Sequence, residues 1–177
     1  MKIAITGGTA GIGQALGNLY EQRGDEVLRL SRRTGHNIRV IPKTADAIES
    51  CDVFINNAQV GFAQTELLFE IVRRWNGTGK QIIVIGTMMT LAPISTPGMQ
   101  EYYVQKSALD QAVQQIRQTR PGVMLTVVRP GDIATNENKT VPPSADVTVW
   151  ASILVHTLEM AQANRLFIPE ISLGPAQ

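Results

Sequence analysis

Short, continuous aliphatic runs, each followed by a segment of helical period, constrain this chain more than any other feature. The runs are Lys2–Thr6, Glu26–Leu30, Ile38–Ile41, Val53–Ile55, Gln81–Ile85, Val123–Val128 and Arg165–Ile168. They do not alternate apolar with polar residues, as a strand with one wet face would, so each reads as a strand covered on both sides. Helical periodicity falls near Gly11–Gln22, Thr44–Ser50, Gln64–Trp75, Gly98–Thr119 and Ala145–Ala163. Strand and helix in steady order predict an α/β fold, a Rossmann-like doubly wound parallel sheet of about seven strands with helices on both faces. The 177 residues contain no linker or repeat, and one domain spanning 1–177 is expected.

Composition narrows the function. Hydrophobic residues at 44% and charged residues at 18% supply a core, and few aromatics make it aliphatic. Sixteen Lys and Arg against fifteen Asp and Glu leave a net charge of +1, without the basic bias that nucleic acid demands. The lone Cys51 excludes an intrachain disulfide and fits a reducing compartment. No apolar run approaches the roughly 18 residues of a membrane helix, and glycines follow Met1–Thr6 too soon for a signal peptide. The expectation is a cytoplasmic protein acting on a small molecule, with neither membrane nor nucleic acid as partner.

The first strand runs into Thr6-Gly7-Gly8-Thr9-Ala10-Gly11-Ile12-Gly13, and a helix follows. Gly7, Gly11 and Gly13 stand where a side chain would obstruct a tight turn, an approaching pyrophosphate or helix-on-strand packing. The helix N-terminus adds free N–H groups and a positive dipole end. A turn that merely connects strand to helix is the plainer reading, but its place directly after the first strand favours a dinucleotide. An NAD-binding chain would carry an acidic residue about 20 positions later. Here the second strand ends in Ser31, Arg32 and Arg33. Ser31 offers a hydrogen bond to a 2′-phosphate and Arg32 a forked ion pair, which favours NADP over NAD.

The segment Glu101–Ala108 opens a long helix in which Tyr102 and Lys106 are four residues apart and share one face. That arc continues through Leu109, Ala112, Val113 and Ile116, with Gln105 close by, so it faces the sheet. Lysine is almost never buried without a partner. A phenol has a pKa near 10, and a neighbouring ammonium is expected to lower it towards useful acid–base work. Alone, the spacing is common and proves little.

Taken with the rest of the chain, it resembles a known family, the short-chain dehydrogenases/reductases of the simple, non-extended type. The resemblance spans about residues 1–135. Thr6–Gly13 resembles the cofactor turn T-G-x-x-x-G-x-G, and Asn56-Asn57-Ala58-Gln59 resembles N-N-A-G. Thr87 ends the fifth predicted strand where the family has its catalytic serine. Tyr102 and Lys106 match Y-x-x-x-K, and Arg129-Pro130-Gly131-Asp132-Ile133-Ala134-Thr135 matches P-G-x-[IV]-x-T. The resemblance implies that Tyr102 exchanges a proton with the substrate oxygen and that the Thr87 hydroxyl orients the carbonyl. Lys106 would bind the nicotinamide ribose, and Ile133 and Thr135 the carboxamide. Asn57 and Ala58 would line the adenosine side, and Gly7, Thr9, Gly11, Ile12, Gly13, Pro130 and Gly131 the rest of the cofactor path. Family members usually pair through the Gln64–Trp75 region. Leu68, Ile71, Val72 and Trp75 form its inward face while Leu67 and Phe69 fall outside, so a homodimer is expected.

The chain departs from the family in several places. Thr87 and Tyr102 are 15 residues apart, about two more than usual, so Thr90, Ser95 and Thr96 are rival hydroxyls, and Thr90 with Tyr103 a rival pair. Gln59 replaces glycine, and Asn37-Ile38 replaces Asp-Val. The stretch from Asn57 to Thr87 is shortened and lacks the family's relay asparagine; Gln64 and Asn76 are the polar residues near its place, and neither matches by motif. Little chain follows Thr135 to close over a substrate, which predicts an open, shallow site. His36 and His156 lack companions at metal-ligand spacing, Cys51 reads as a packed residue, and Asp132 as a turn residue. The leading reading is an NADP-preferring enzyme interconverting a carbonyl and an alcohol. Its alternative is a nucleotide-binding sensor of the same fold without chemistry. An extended-type epimerase or dehydratase is disfavoured by the glycine spacing and by the want of a C-terminal substrate domain.

Overall fold

A run of aliphatic residues without polar alternation must be covered on both faces, and the central strands are. The computed structural model describes residues 1–93, 96–119, 122–135 and 145–175. In chain order its elements are β1 (Lys2–Thr6), α1 (Gly11–Gln22), β2 (Glu26–Leu30), α2 (Ile41–Ile48), β3 (Val53–Asn56), α3 (Ala63–Arg74) and β4 (Gln81–Ile85). There follow α4 (Gln100–Thr119), β5 (Met124–Pro130), β6 (Ile133–Ala134), β7 (Ala145–Asp146), α5 (Val147–Ala163) and β8 (Glu170–Leu173). Six strands form one parallel sheet in the order β2-β1-β3-β4-β5-β8; β6 and β7 make a separate short parallel ladder.

Alternate residues of each strand enter opposite cores, as the period of two requires. Ala4, Phe54, Ile82, Val84, Leu125 and Val127 face a layer built by α2, α3 and α4. Ile3, Ile5, Val53, Ile55, Ile83, Ile85 and Val128 face α1 and α5. The chain moves outward from β1 to β2 and returns to β3 on the other side of β1. That reversal opens a crevice at the carboxyl ends of β1 and β3, where ligands bind in such sheets.

The sheet has six strands where seven were expected. The missing one is Ile38–Ile41, which is a turn leading into α2. Asn37 Oδ1 accepts the Arg39 N–H at 3.1 Å, and its carbonyl accepts the Val40 N–H at 2.8 Å. Pro42 then lies in the first turn of α2, where its missing N–H is harmless. A turn and the first residue of α2 therefore take the place of the expected strand, and Ile38 is buried as a single anchor. The last strand lies five residues beyond Arg165–Ile168. The helix ends at Ala163 with Asn164 as its cap, Arg165 takes a left-handed φ of 56°, and the segment up to Pro169 caps the neighbouring strand through its carbonyls. Asp146 caps α5 as read, accepting the Thr148 and Val149 N–H groups at 2.9 Å. Leu67 is buried in the core, because α3 is flanked by α2 and α4 as well as by the sheet; Phe69 is half exposed. Cys51 is buried at the end of α2, and burial raises its thiol pKa. No helix among the described residues is long and apolar enough to cross a membrane.

Gly13 permits the closest approach in the crevice. A Cβ there would lie 2.4 Å from the Gly7 carbonyl oxygen and 2.8 Å from Asn57 Nδ2. Gly13→Ala should therefore lower the free energy of unfolding by about 1–3 kcal/mol through overpacking. Chemical denaturation checks this; a change below about 0.5 kcal/mol, the scatter of neutral surface substitutions, would contradict it.

Candidate active site

The site is built where four strands end. Thr6, the last residue of β1, accepts the Asn57 N–H at 3.0 Å and the Ala58 N–H at 3.1 Å on its hydroxyl. Asn57 Nδ2 donates back to the Thr6 carbonyl at 2.9 Å. These bonds lock the glycine turn to the loop after β3. Arg29 holds the other side. Its guanidinium donates to the Gly8 carbonyl at 2.7 Å, to Asn18 Oδ1 at 2.8 Å and to both Glu21 oxygens. It crosses α1 at Gly17, where a Cβ would sit 2.7 Å from the guanidinium carbon. Sequence reasoning missed Arg29; the available signal was an arginine between two leucines inside a strand.

Two cavities line the crevice. The first, about 370 Å³, is walled by Gly7, Thr9, Ser31, Arg32, Arg33, Ala58 and Gln59 among others, with no carboxylate in its lining. The second, about 230 Å³, is walled by Ile12, Asn57, Gln59, Thr87, Tyr102, Lys106, Pro130, Gly131, Ile133 and Thr135 among others. The residues expected to act therefore come together. Gly11 and Gly13 line neither cavity and serve packing, Gly11 against Thr135 and Gly13 against Gly7. Asn57 faces the second cavity; only Ala58 of that pair faces the first. The rival hydroxyls do not compete among the described residues. Thr90 donates to Asp110 Oδ2 at 2.5 Å and to the Thr87 carbonyl at 3.0 Å. Thr96 is exposed and lines neither cavity, as does Tyr103, while Ser95 and the 136–144 stretch lie outside the described residues. Asp110 also pairs with Arg129 at 3.2 Å, which ties the Thr87–Thr90 turn to α4 and β5.

Lys106 is the least expected group. It is 3% exposed, and its Nζ donates to Gln64 Oε1 and to the Ile85 carbonyl, both at 2.9 Å. Gln64, 2% exposed, is itself fixed: Nε2 donates to the Asn56 carbonyl at 2.7 Å and to the Ile85 carbonyl at 3.1 Å. Asn56 Nδ2 in turn donates to the Gln64 carbonyl at 3.0 Å. The shortened stretch thus does supply a polar partner for the lysine, by a direct side-chain contact from the start of α3. A glutamine on the inward side of a helix was the signal.

The electrostatics correct one expectation. Tyr102 does not have a depressed pKa; burial pushes it above the ordinary phenol value, and a hydrogen bond from Thr87 only partly opposes this. The lysine ammonium lies 5.8 Å from the centroid of the phenol ring, over its face. It spends its hydrogen bonds on Gln64 and Ile85 instead of on the phenol oxygen. Burial also draws the Lys106 pKa down to about 8, against the attraction of Asp110.

No protein-family model matches the chain. Among curated proteins, the human epimerase family protein SDR39U1 is 34% identical over 85 residues, which is 48% of this chain and 27% of that protein. The match thus spans little more than a quarter of the relative. Solved structures align almost end to end. A short-chain dehydrogenase/reductase from Vibrio parahaemolyticus gives a TM-score of 0.81 at 15% identity, covering 99% of this chain and 100% of its own. A short-chain dehydrogenase from Burkholderia cenocepacia, in complex with NADP, gives 0.77 at 17%, covering 98% and 87%. An alcohol dehydrogenase from the archaeon Thermococcus sibiricus, complexed with 5-hydroxy-NADP, gives 0.76 at 17%, covering 99% and 97%. The chain has the fold of the short-chain dehydrogenases/reductases.

Two measurements probe the buried amine. Gln64→Leu removes an acceptor from a buried ammonium and leaves the Asn56 carbonyl unpaired, so unfolding free energy should fall by about 2–4 kcal/mol. A loss under about 0.5 kcal/mol in urea denaturation would contradict the network. Because the folded pKa of Lys106 is lowered, the cost of burying its charge is present in full below pH 8. Between pH 8 and the ordinary lysine value near 10.4 the folded form sheds the proton first, so stability rises with pH. The tyrosines work the other way only above about pH 10. Between pH 7 and pH 10 the wild type should gain about 1–3 kcal/mol over Lys106→Met. Parallel pH profiles would contradict it.

Proposed function

We propose that this protein is a short-chain dehydrogenase/reductase that interconverts a carbonyl and an alcohol with a nicotinamide dinucleotide, NADP(H) in preference to NAD(H). One observation carries the reading: Thr87, Tyr102 and Lys106 line one cavity that adjoins the glycine turn. The residues fit such a group. The α1 N-terminus and the turn at Gly7 and Thr9 suit a diphosphate. Ser31 and Arg32, in a wall without carboxylates, suit a 2′-phosphate. Lys106 suits ribose hydroxyls, and Ile133 and Thr135 a carboxamide.

When bound, the dinucleotide supplies the hydride that the protein cannot. The chain's own part is proton transfer and orientation. Tyr102 keeps its proton through neutral pH, as an ordinary phenol does, and burial raises its pKa further. The phenol therefore suits donation: as the carbonyl carbon gains hydride, the C=O π bond breaks and Oη gives its proton to the developing alkoxide. Thr87, which lines the same cavity as that phenol, would hold the carbonyl oxygen beside it. In the opposite direction the phenolate would take the alcohol's proton, a form that burial disfavours. With short flanking elements at the crevice, we assign an open site that takes a range of carbonyl compounds.

The human relative's name supports a second reading, an epimerase-type reaction in which the cofactor is reduced and reoxidised on one substrate. Stoichiometric loss of NADPH absorbance per product formed supports reduction; product without net NADPH loss supports the epimerase reading. On a carbonyl substrate found in this way, Tyr102→Phe should lower kcat about 100–10,000-fold while the protein still folds and binds cofactor, the range for removing a general acid. Unchanged turnover would overturn the role of Tyr102. Arg32→Ala should raise the Kd for NADPH about tenfold or more and leave that for NADH within about twofold, as loss of a charge-assisted bond to a phosphate requires. Equal changes for both would contradict the 2′-phosphate assignment.

A further inference from the structure

Gln59 stands where the resembled motif has glycine, and among the described residues it alone lines both cavities. Its Nε2 donates to Gln105 Oε1, and Gln105 Nε2 donates to Glu101 Oε1 at 2.8 Å. Gln105 is buried, lines neither cavity, and sits on α4 between Tyr102 and Lys106. A chain of amides therefore runs from the junction of the cavities into the helix that carries the reacting side chains. Gln59 Oε1 makes no hydrogen bond among the described residues, which leaves an acceptor for a hydroxyl donor.

We propose that Gln59 is a cofactor-positioning residue. Its amide contacts a sugar hydroxyl of a dinucleotide that occupies both cavities at once, and Gln105 makes that contact part of α4. The proposal rests on the dinucleotide reading above. A glycine would leave the junction open; a glutamine held at one end by Gln105 loses little rotamer freedom when it meets a ligand. An uncharged amide also gives a contact that does not titrate near neutral pH. A ligand that fills only the first cavity need not reach the junction, so the two kinds of ligand should report differently.

Isothermal titration of NADPH, and of adenosine 2′,5′-bisphosphate as the probe for the first cavity alone, tests this on wild type, Gln59→Ala, Gln105→Ala and the double variant. Loss of one hydrogen bond at the junction should weaken NADPH about tenfold in Gln59→Ala and change the bisphosphate by less than about twofold. Gln105→Ala, though it touches neither cavity, should weaken NADPH several-fold, about as expected for a coupled partner, and the double variant should bind no worse than Gln59→Ala. Melting temperatures confirm that each variant is folded, and Gln59→Ala decides alone if Gln105→Ala is not. NADPH affinity within about twofold of wild type in Gln59→Ala, or an equal loss for both ligands, would overturn the role of Gln59 while leaving the dinucleotide reading intact. Wild-type protein that binds neither ligand would overturn both.

Discussion

A buried ammonium has to be satisfied, and that requirement organises the whole crevice. Lys106 reaches between α3 and the end of β4, where Gln64 Oε1 and the Ile85 carbonyl accept its protons. Leaving such a charge without partners costs several kcal/mol, so the start of α3, the end of β3 and the end of β4 must hold their relative positions. Gln64 meets that demand by bonding to Asn56 and Ile85 as well as to the lysine. The Tyr102 phenol is placed one helical turn away on the same face of α4.

The same logic extends along the carboxyl edge of the sheet. Thr6 and Asn57 fasten the glycine turn to the loop after β3, Arg29 fastens it to α1, and Asp110 and Thr90 fasten the Thr87 turn to α4. Each tie joins the loop after a strand to a neighbouring strand or helix. The residues proposed to bind cofactor therefore sit on backbone already fixed by the protein's own hydrogen bonds, which lowers the ordering cost of binding. Two short parallel bridges, β6 to β7, bring the start of α5 to the strand that carries Ile133.

Strand and helix periodicity sufficed for most of the fold, because β1, β3, β4 and β5 are buried on both faces and read as continuous apolar runs. It failed at Ile38–Ile41, where an Asx-type turn and Pro42 favour helix entry over a strand, and at the final strand, where an apolar run caps a neighbour while the next residues pair. Short apolar runs carry no information that separates those outcomes. The site was legible where spacing carries it: Tyr102 and Lys106 on one helical face, and Gly7 to Gly13 after a strand. The partner of Lys106 was not, since it depends on how α3 enters the sheet, a three-dimensional fact. The sign of the Tyr102 shift is set by burial of the phenol, which no spacing rule reveals.

The most direct measurement is a structure with NADPH bound. The account predicts adenosine in the cavity of Ser31 and Arg32, and a nicotinamide ring among Thr87, Tyr102 and Thr135. Lys106 Nζ should lie within hydrogen-bond reach of a ribose hydroxyl. A dinucleotide seated elsewhere, or a ring shut out of the Tyr102 cavity, would contradict it.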